Sequence, residues 1–98
     1  MSTTVKCRVL DAKDSVGVVL DQTRQGDRLS FELPGTGEQQ IIAFEDIPPY
    51  HKYALKTLTK GDNVFKYGQV IGRATMNIQV GQHVHSHNLT SIREDIAE

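Results

Sequence analysis

Hydrophobic and polar positions alternate along this chain in short bursts, each closed by turn-forming residues. Val5 to Leu10 alternates and stops at Asp11, which predicts a first strand. Asp11-Ala12-Lys13-Asp14 predicts a turn, and the β-branched run Ser15-Val16-Gly17-Val18-Val19-Leu20 a second strand. Asp21 to Asp27 is polar and holds Gly26, so it reads as a loop. Leu29-Ser30-Phe31-Glu32-Leu33 alternates with Leu29, Phe31 and Leu33 inward. Pro34-Gly35-Thr36-Gly37 is turn chemistry, and Gln40 to Phe44 predicts the next strand. The first half is therefore a hairpin-rich β segment.

Asp46-Ile47-Pro48-Pro49-Tyr50 predicts a rigid connector, because two prolines remove two backbone donors and exclude a regular ladder. It delivers the chain to His51-Lys52 in a fixed direction. After it, residues 54–64 resemble residues 74–84, with alanine, an aliphatic residue, glycine and valine coinciding at a period of 20. Each copy reads as strand, turn at Gly61 or Gly81, and short strand. Two copies are too few for a solenoid, so the pattern predicts two loops folded against each other in one small β domain. Between them, Gly68 predicts a turn, Gly72 a bulge or close backbone approach, and Val70-Ile71 a buried strand. After Ser91 the tail is weakly helical, with Ile92 and Ile96 four apart. The expected layout is a β domain over 1–90 and a tail or linker over 91–98.

Composition narrows the function. The chain has 98 residues, one domain's worth, and 38% hydrophobic residues, enough for a small core. No apolar run approaches a membrane span and the start has no apolar signal core, so the expected compartment is the cytoplasm. A net charge of −1 with mixed signs and only 6% aromatics argue against a nucleic-acid partner. Cys7 is the single cysteine and falls on the apolar side of its strand, as a structural thiol does.

The candidate chemistry lies in Gly81-Gln82-His83-Val84-His85-Ser86-His87-Asn88. Three of the four histidines occupy alternate positions there. On a strand they share one face, with neighbours about 6.5–7 Å apart. That spacing lets two imidazoles share a metal ion, or lets one bind metal while the next moves a proton. A solvated polar strand face is the competing reading. The fourth histidine, His51, lies in a second polar cluster with Lys52.

The ordered blocks His51-Lys52-Tyr53-Ala54-Leu55, Gly61, Lys66 to Thr75 and Gly81 to Asn88 resemble the amino-terminal domain of the altronate/galactarate dehydratase family. The resemblance is strong over the last half and loose over the first. Tyr50 departs from it, since the family usually has glycine before His-Lys. It implies a mostly β, β-clip fold of the SAF (sialic-acid synthase and antifreeze-like) group, with short strands, tight turns and at most a short C-terminal helix. It also implies part of a lyase that removes water from a sugar acid using Fe2+, or, in some relatives, sulfite from sulfolactate. The implied partner is a large catalytic subunit or domain, without which the chain is inactive; self-association is left open. An uncatalytic β-clip module binding a sugar acid or a protein is the alternative.

That chemistry assigns expected roles. His51, Lys52 and His85 are candidates for catalysis. Lys52, Lys66, Arg73 and Asn88 are candidates for substrate binding. His83, His85 and His87 are candidate metal ligands. Each has a plainer reading: Lys66 and Arg73 as solvated strand charges, Asn88 as a turn former or a residue that orients a histidine.

Overall fold

A computed structural model describes residues 3–91. Within them the chain is all β, with strands β1 (Thr4–Arg8), β2 (Val16–Val19), β3 (Arg28–Leu33), β4 (Gly37–Ile42), β5 (Lys52–Ala54), β6 (Asn63–Lys66), β7 (Gln69–Ala74), β8 (His83–Val84) and β9 (Leu89–Ser91). Six form a sheet in the order β4-β3-β1-β2-β5-β8, and three a sheet in the order β6-β7-β9. The expected all-β architecture is the observed one. Among the described residues there is no helix, and so none long and apolar enough to cross a membrane. The expected helix after Ser91 lies outside the described residues. Ser91, the last described residue, pairs with Gly72 in β9.

The core has two parts, and β2 and β5 separate them. Val19 and Tyr53 pack with Val5, Val9, Leu29, Phe31, Ala43 and Ile47. Val16 and Ala54 pack with Leu58, Val64, Ala74, Ile78 and Val84. Neighbouring residues of a strand face opposite ways, so Tyr53 and Ala54 of β5 each enter a different cluster. A strand covered on both sides has no polar face, which is why β2 reads as a continuous apolar run.

One loop shape occurs four times and explains most of the remaining backbone. It starts at a buried aliphatic residue at a strand end: Val19, Ala43, Ala54 or Ala74. Four positions on stands a buried residue that bridges to its counterpart in a second copy, Thr23 to Ile47 and Leu58 to Ile78. Seven positions on, the backbone turns left-handed, at Gly26 (φ 93°), Tyr50 (67°), Gly61 (95°) and Gly81 (84°). The N–H of that residue donates to the starting residue of the paired copy: Gly26 to Ala43, Tyr50 to Val19, Gly61 to Ala74 and Gly81 to Ala54, at 2.8–2.9 Å. The starting N–H donates in return to the eighth position: Ala43 to Asp27, Val19 to His51, Ala74 to Asp62 and Ala54 to Gln82, at 2.8–3.1 Å. The repeat expected over residues 54–64 and 74–84 is the second of these two pairs. The first pair escapes a sequence comparison because Thr23, Pro48, Pro49 and Tyr50 disguise it.

Strand limits shift for the same reason. Ala43 is committed to loop bonds with Gly26 and Asp27, so β4 ends at Ile42 and Phe44 lies beyond it.

Candidate functional site

Three of the four loops carry a polar side chain at their eighth position that turns inward to cap the backbone. Asp27 Oδ2 accepts from Arg24 N at 2.9 Å, Asp62 Oδ2 from Thr59 N at 2.8 Å, and Gln82 Oε1 from Gln79 N at 2.9 Å. The fourth loop has Pro48 at the donor position. Proline carries no N–H, so nothing there needs a cap. The eighth residue, His51, is released from that duty, and its ring turns to the histidines of the other loop pair.

His51 Nδ1 lies 2.9 Å from His83 Nε2. One of the two nitrogens carries the hydrogen and the other accepts it. The His51 ring also stacks on His85, with centroids 4.3 Å apart and planes at 16°. His83 lies 5.7 Å from His85 and 5.2 Å from His87, the latter tilted by 42°. One ring nitrogen each from His51, His83 and His85 falls within 4.8 Å of the others. Metal-ligand nitrogens stand about 2.0–2.1 Å from an ion, hence about 3–3.5 Å from each other, so small ring rotations bring this trio onto one centre.

The backbone beneath is held at both ends. Glu45 Oε2 accepts from His83 N at 3.0 Å. Asn88, fully buried, donates from Nδ2 to His83 O at 2.9 Å and accepts from His85 N through Oδ1 at 2.9 Å. The strand β8 ends at Val84, and residues 85–88 form a tight turn closed by Asn88 N donating to His85 O. The three alternating histidines therefore converge through a strand end and a turn, not through the pleat of one strand.

Electrostatics favour neutral rings. Burial pushes the His83 pKa down, and the neighbouring His51, His87 and His85 push it further, against Glu45. His85 is pushed down first by burial and then by His51, Lys52 and His87. Neutral imidazole is the form that binds a metal. Lys52, half-buried on β5, is shifted down by burial and by the charge of Lys66. Lys52 is thus electrostatically coupled to His85 on one side and to Lys66 on the other.

Residues 6–92 match the altronate/galactarate dehydratase SAF domain. The chain belongs to this family. The SAF domain is 36% identical over 87 residues to altronate dehydratase of Escherichia coli (strain K12), covering 89% of this chain and 17% of that protein. It is 46% identical over 54 residues to (2R)-sulfolactate sulfo-lyase subunit alpha of Paracoccus pantotrophus, covering 55% of this chain and 81% of that subunit. The subunit of the same name from Chromohalobacter salexigens is 36% identical over 87 residues, 87% of this chain and 93% of the subunit. The chain spans less than a fifth of the altronate dehydratase it matches, and nearly all of the second sulfo-lyase subunit.

Within the SAF domain, the residues named from sequence divide. His51, Lys52, His83, His85 and His87 come together. The set whose nitrogens converge is His51, His83 and His85, while His87 meets the group through its ring contact with His83. Asn88 is wholly buried and both ends of its amide hold the His83–His85 backbone. It positions histidines, the other role its sequence allowed. Lys66 lies on β6 with its ammonium 4.9 Å from the Tyr67 ring centre. Arg73 lies on β7 across from Asn63 and Thr90, and none of the histidine contacts above involves it.

Sequence reasoning missed Glu45 and Pro48. Nothing local marks Glu45, whose bond to His83 spans 38 positions. Pro48 had a signal. Aligning Ile47-Pro48-Pro49-Tyr50-His51 with Leu58-Thr59-Lys60-Gly61-Asp62 shows a capping acid replaced by histidine where the capped N–H is gone.

Proposed function

We propose that this SAF domain is the small part of a lyase that eliminates water from a sugar acid, and that its histidine cluster lines an active site completed by a larger catalytic chain. The observation that carries the reading is the meeting of His51 with His83 and His85 from two separate loop pairs. A solvated strand face has no need of that convergence.

The donors fit a divalent ion such as Fe2+. They are three imidazoles, two of them held in the neutral form by their surroundings. His51, His83 and His85 would hold the ion, which when bound supplies Lewis-acid help to the departing hydroxyl. Lys52 binds the substrate carboxylate, and its partial burial strengthens that attraction relative to open water. It also opposes the charge that builds up on the carboxylate as the neighbouring C–H proton leaves. His87, outside the converging trio but within ring contact of His83, is the imidazole available to carry a proton. Lys66, whose charge reaches Lys52, adds to the positive charge beside the cluster, and Arg73 on β7 is a weaker candidate for the same role. Asn88 and Glu45 keep the His83–His85 backbone from shifting when substrate enters.

A second reading has its own support. The higher identity over a shorter stretch to a sulfolactate sulfo-lyase subunit favours sulfite elimination from a sulfonated hydroxy acid. The same Lys52 and imidazole set serves either leaving group.

Reconstitution tests both. The chain is mixed with the large lyase chain of the same organism and supplied with altronate, galactarate and sulfolactate under reducing conditions with Fe2+. Turnover of one of these by the mixture, and none by either chain alone, is the expected result. No turnover of any of the three contradicts the reading.

A further inference from the structure

We infer that the larger lyase chain docks on an apolar rim beside the histidine cluster, formed by Ile42, Phe44, Val80 and Tyr50. The inference rests on the proposed role in a two-part lyase and adds the surface through which the parts join. Ile42 is 56% exposed, Phe44 48%, Val80 40% and Tyr50 72%. Single exposed apolar side chains need no explanation, but several carried on backbone that adjoins a polar site mark an interaction surface. Three of these four are drawn together by one backbone crossing. Phe44 N donates to Gly81 O at 3.0 Å, and a Cβ on Gly81 would collide with Ile42 O. Val80 precedes Gly81 directly, and Glu45, next after Phe44, binds the His83 N–H. The patch and the cluster thus share one piece of backbone.

Tyr50 is an independent observation. It occupies the left-handed position that glycine fills in the three sibling loops. A tyrosine there is strained, and 72% exposure means that the strain is not offset by burial in this chain. Contact with a partner supplies the missing burial, and tyrosine is a residue that interfaces favour, so this contact is an addition particular to this chain where the family usually has glycine. It also immediately precedes His51 in the chain.

The occupant follows from how the relatives are built. In the Escherichia coli altronate dehydratase the matching region is 17% of one chain. In the Chromohalobacter salexigens sulfo-lyase, 93% of a separate subunit alpha is covered. A domain carried as a separate subunit has no covalent tether, so its own surface must hold it to the rest of the enzyme. A net charge of −1 gives little long-range attraction, so the contact surface itself must hold the parts together, and apolar burial is the term this rim supplies. An apolar rim also excludes water from the imidazoles it surrounds.

Sedimentation velocity of the full chain with the large lyase chain of the same organism tests this. The variants are Tyr50→Gly, which relieves backbone strain and so preserves the fold, and Phe44→Lys. Leu10→Ser, at an exposed residue beside the Pro34–Thr36 turn, is the control. Wild type and Leu10→Ser form the complex with equal Kd, and each rim variant raises Kd at least tenfold. Unchanged Kd in both rim variants overturns the surface while leaving the two-part reading intact. No complex with wild type contradicts the two-part reading itself. If the chain alone is a dimer that Tyr50→Gly dissociates, the rim holds a second copy and the inference is wrong.

Discussion

His51 Nδ1 and His83 Nε2 meet at 2.9 Å across 32 positions of sequence. Each sits just past a left-handed residue, Tyr50 or Gly81, of a loop built to one plan. The site is therefore a product of repetition with one exception: Pro48 removes an N–H, and the side chain that would have capped it becomes available for chemistry. Four predictions follow from this arrangement and its neighbours.

The capping role separates Asp27 from His51 in stability. Asp27 accepts N–H bonds from Arg24 at 2.9 Å and Thr3 at 3.2 Å, whereas His51 has no N–H to cap at its own loop. Asp27→Asn lowers unfolding free energy by about 1–3 kcal/mol in urea titration, the usual loss for bonds to a charged acceptor. His51→Ala stays within about 0.5 kcal/mol of wild type. Equal losses in the two variants would contradict the division of labour.

Asp27 also sets an acid limit. The N–H bonds from Arg24 and Thr3 hold its carboxyl below the ordinary value of 3.8. A depressed folded pKa gives stability that is complete above the unfolded value and is lost as pH falls through the folded one. The part of the urea midpoint that depends on Asp27, read as the difference between wild type and Asp27→Asn, holds steady down to about pH 4 and shrinks below it. In Asp27→Asn the slope below about pH 4 becomes shallower. An unchanged slope in the variant would rule Asp27 out as the source.

The His83 and His85 rings resist protonation. Their folded pKa values lie below the ordinary 6.5, so the unfolded chain takes up protons that the folded chain refuses. Stability contributed here is full above about pH 6.5 and declines as pH falls below it. Ring-proton NMR should place both midpoints below that of a solvated histidine, and Lys52→Gln should raise the His85 midpoint by removing a nearby positive charge. No movement of His85 in that variant would remove Lys52 from the site.

Asn88 and Tyr50 have opposite effects on stability. Asn88→Ala removes a buried side chain that bonds His83 O and His85 N in an otherwise exposed turn, and costs about 1–3 kcal/mol. Tyr50→Gly relieves a left-handed backbone and gains about 0.5–1 kcal/mol after the entropy cost of glycine. Thermal and urea unfolding of the two variants measure both shifts. Loss of stability in Tyr50→Gly would mean that the tyrosine ring packs within this chain.

The β character of the chain was legible because local signals agree: alternation in Leu29–Leu33, an apolar run in β2, glycines at turns. Half of the loop repetition was legible, where Gly61 and Gly81 occupy equivalent places. The other half was hidden because Tyr50 adopts a conformation that glycine normally marks and Thr23 fills an aliphatic position. The histidines stood out by spacing, but strand geometry gave no sign that His51 would meet His83 and His85. Pairing of His51 with His83 depends on β5 lying beside β8, a non-local contact that no periodicity encodes. Glu45 and the burial of Asn88 are tertiary for the same reason.

We propose that His51, not His87, joins His83 and His85 around one divalent ion. Visible-absorption titration with Co2+ of wild type, His51→Ala and His87→Ala tests it most directly, since Co2+ bound by imidazole gives d–d bands that the free ion shows weakly. The account predicts that wild type and His87→Ala saturate alike, and that His51→Ala loses the bands or needs at least tenfold more metal. Loss in His87→Ala with retention in His51→Ala, or no difference among the three, contradicts it.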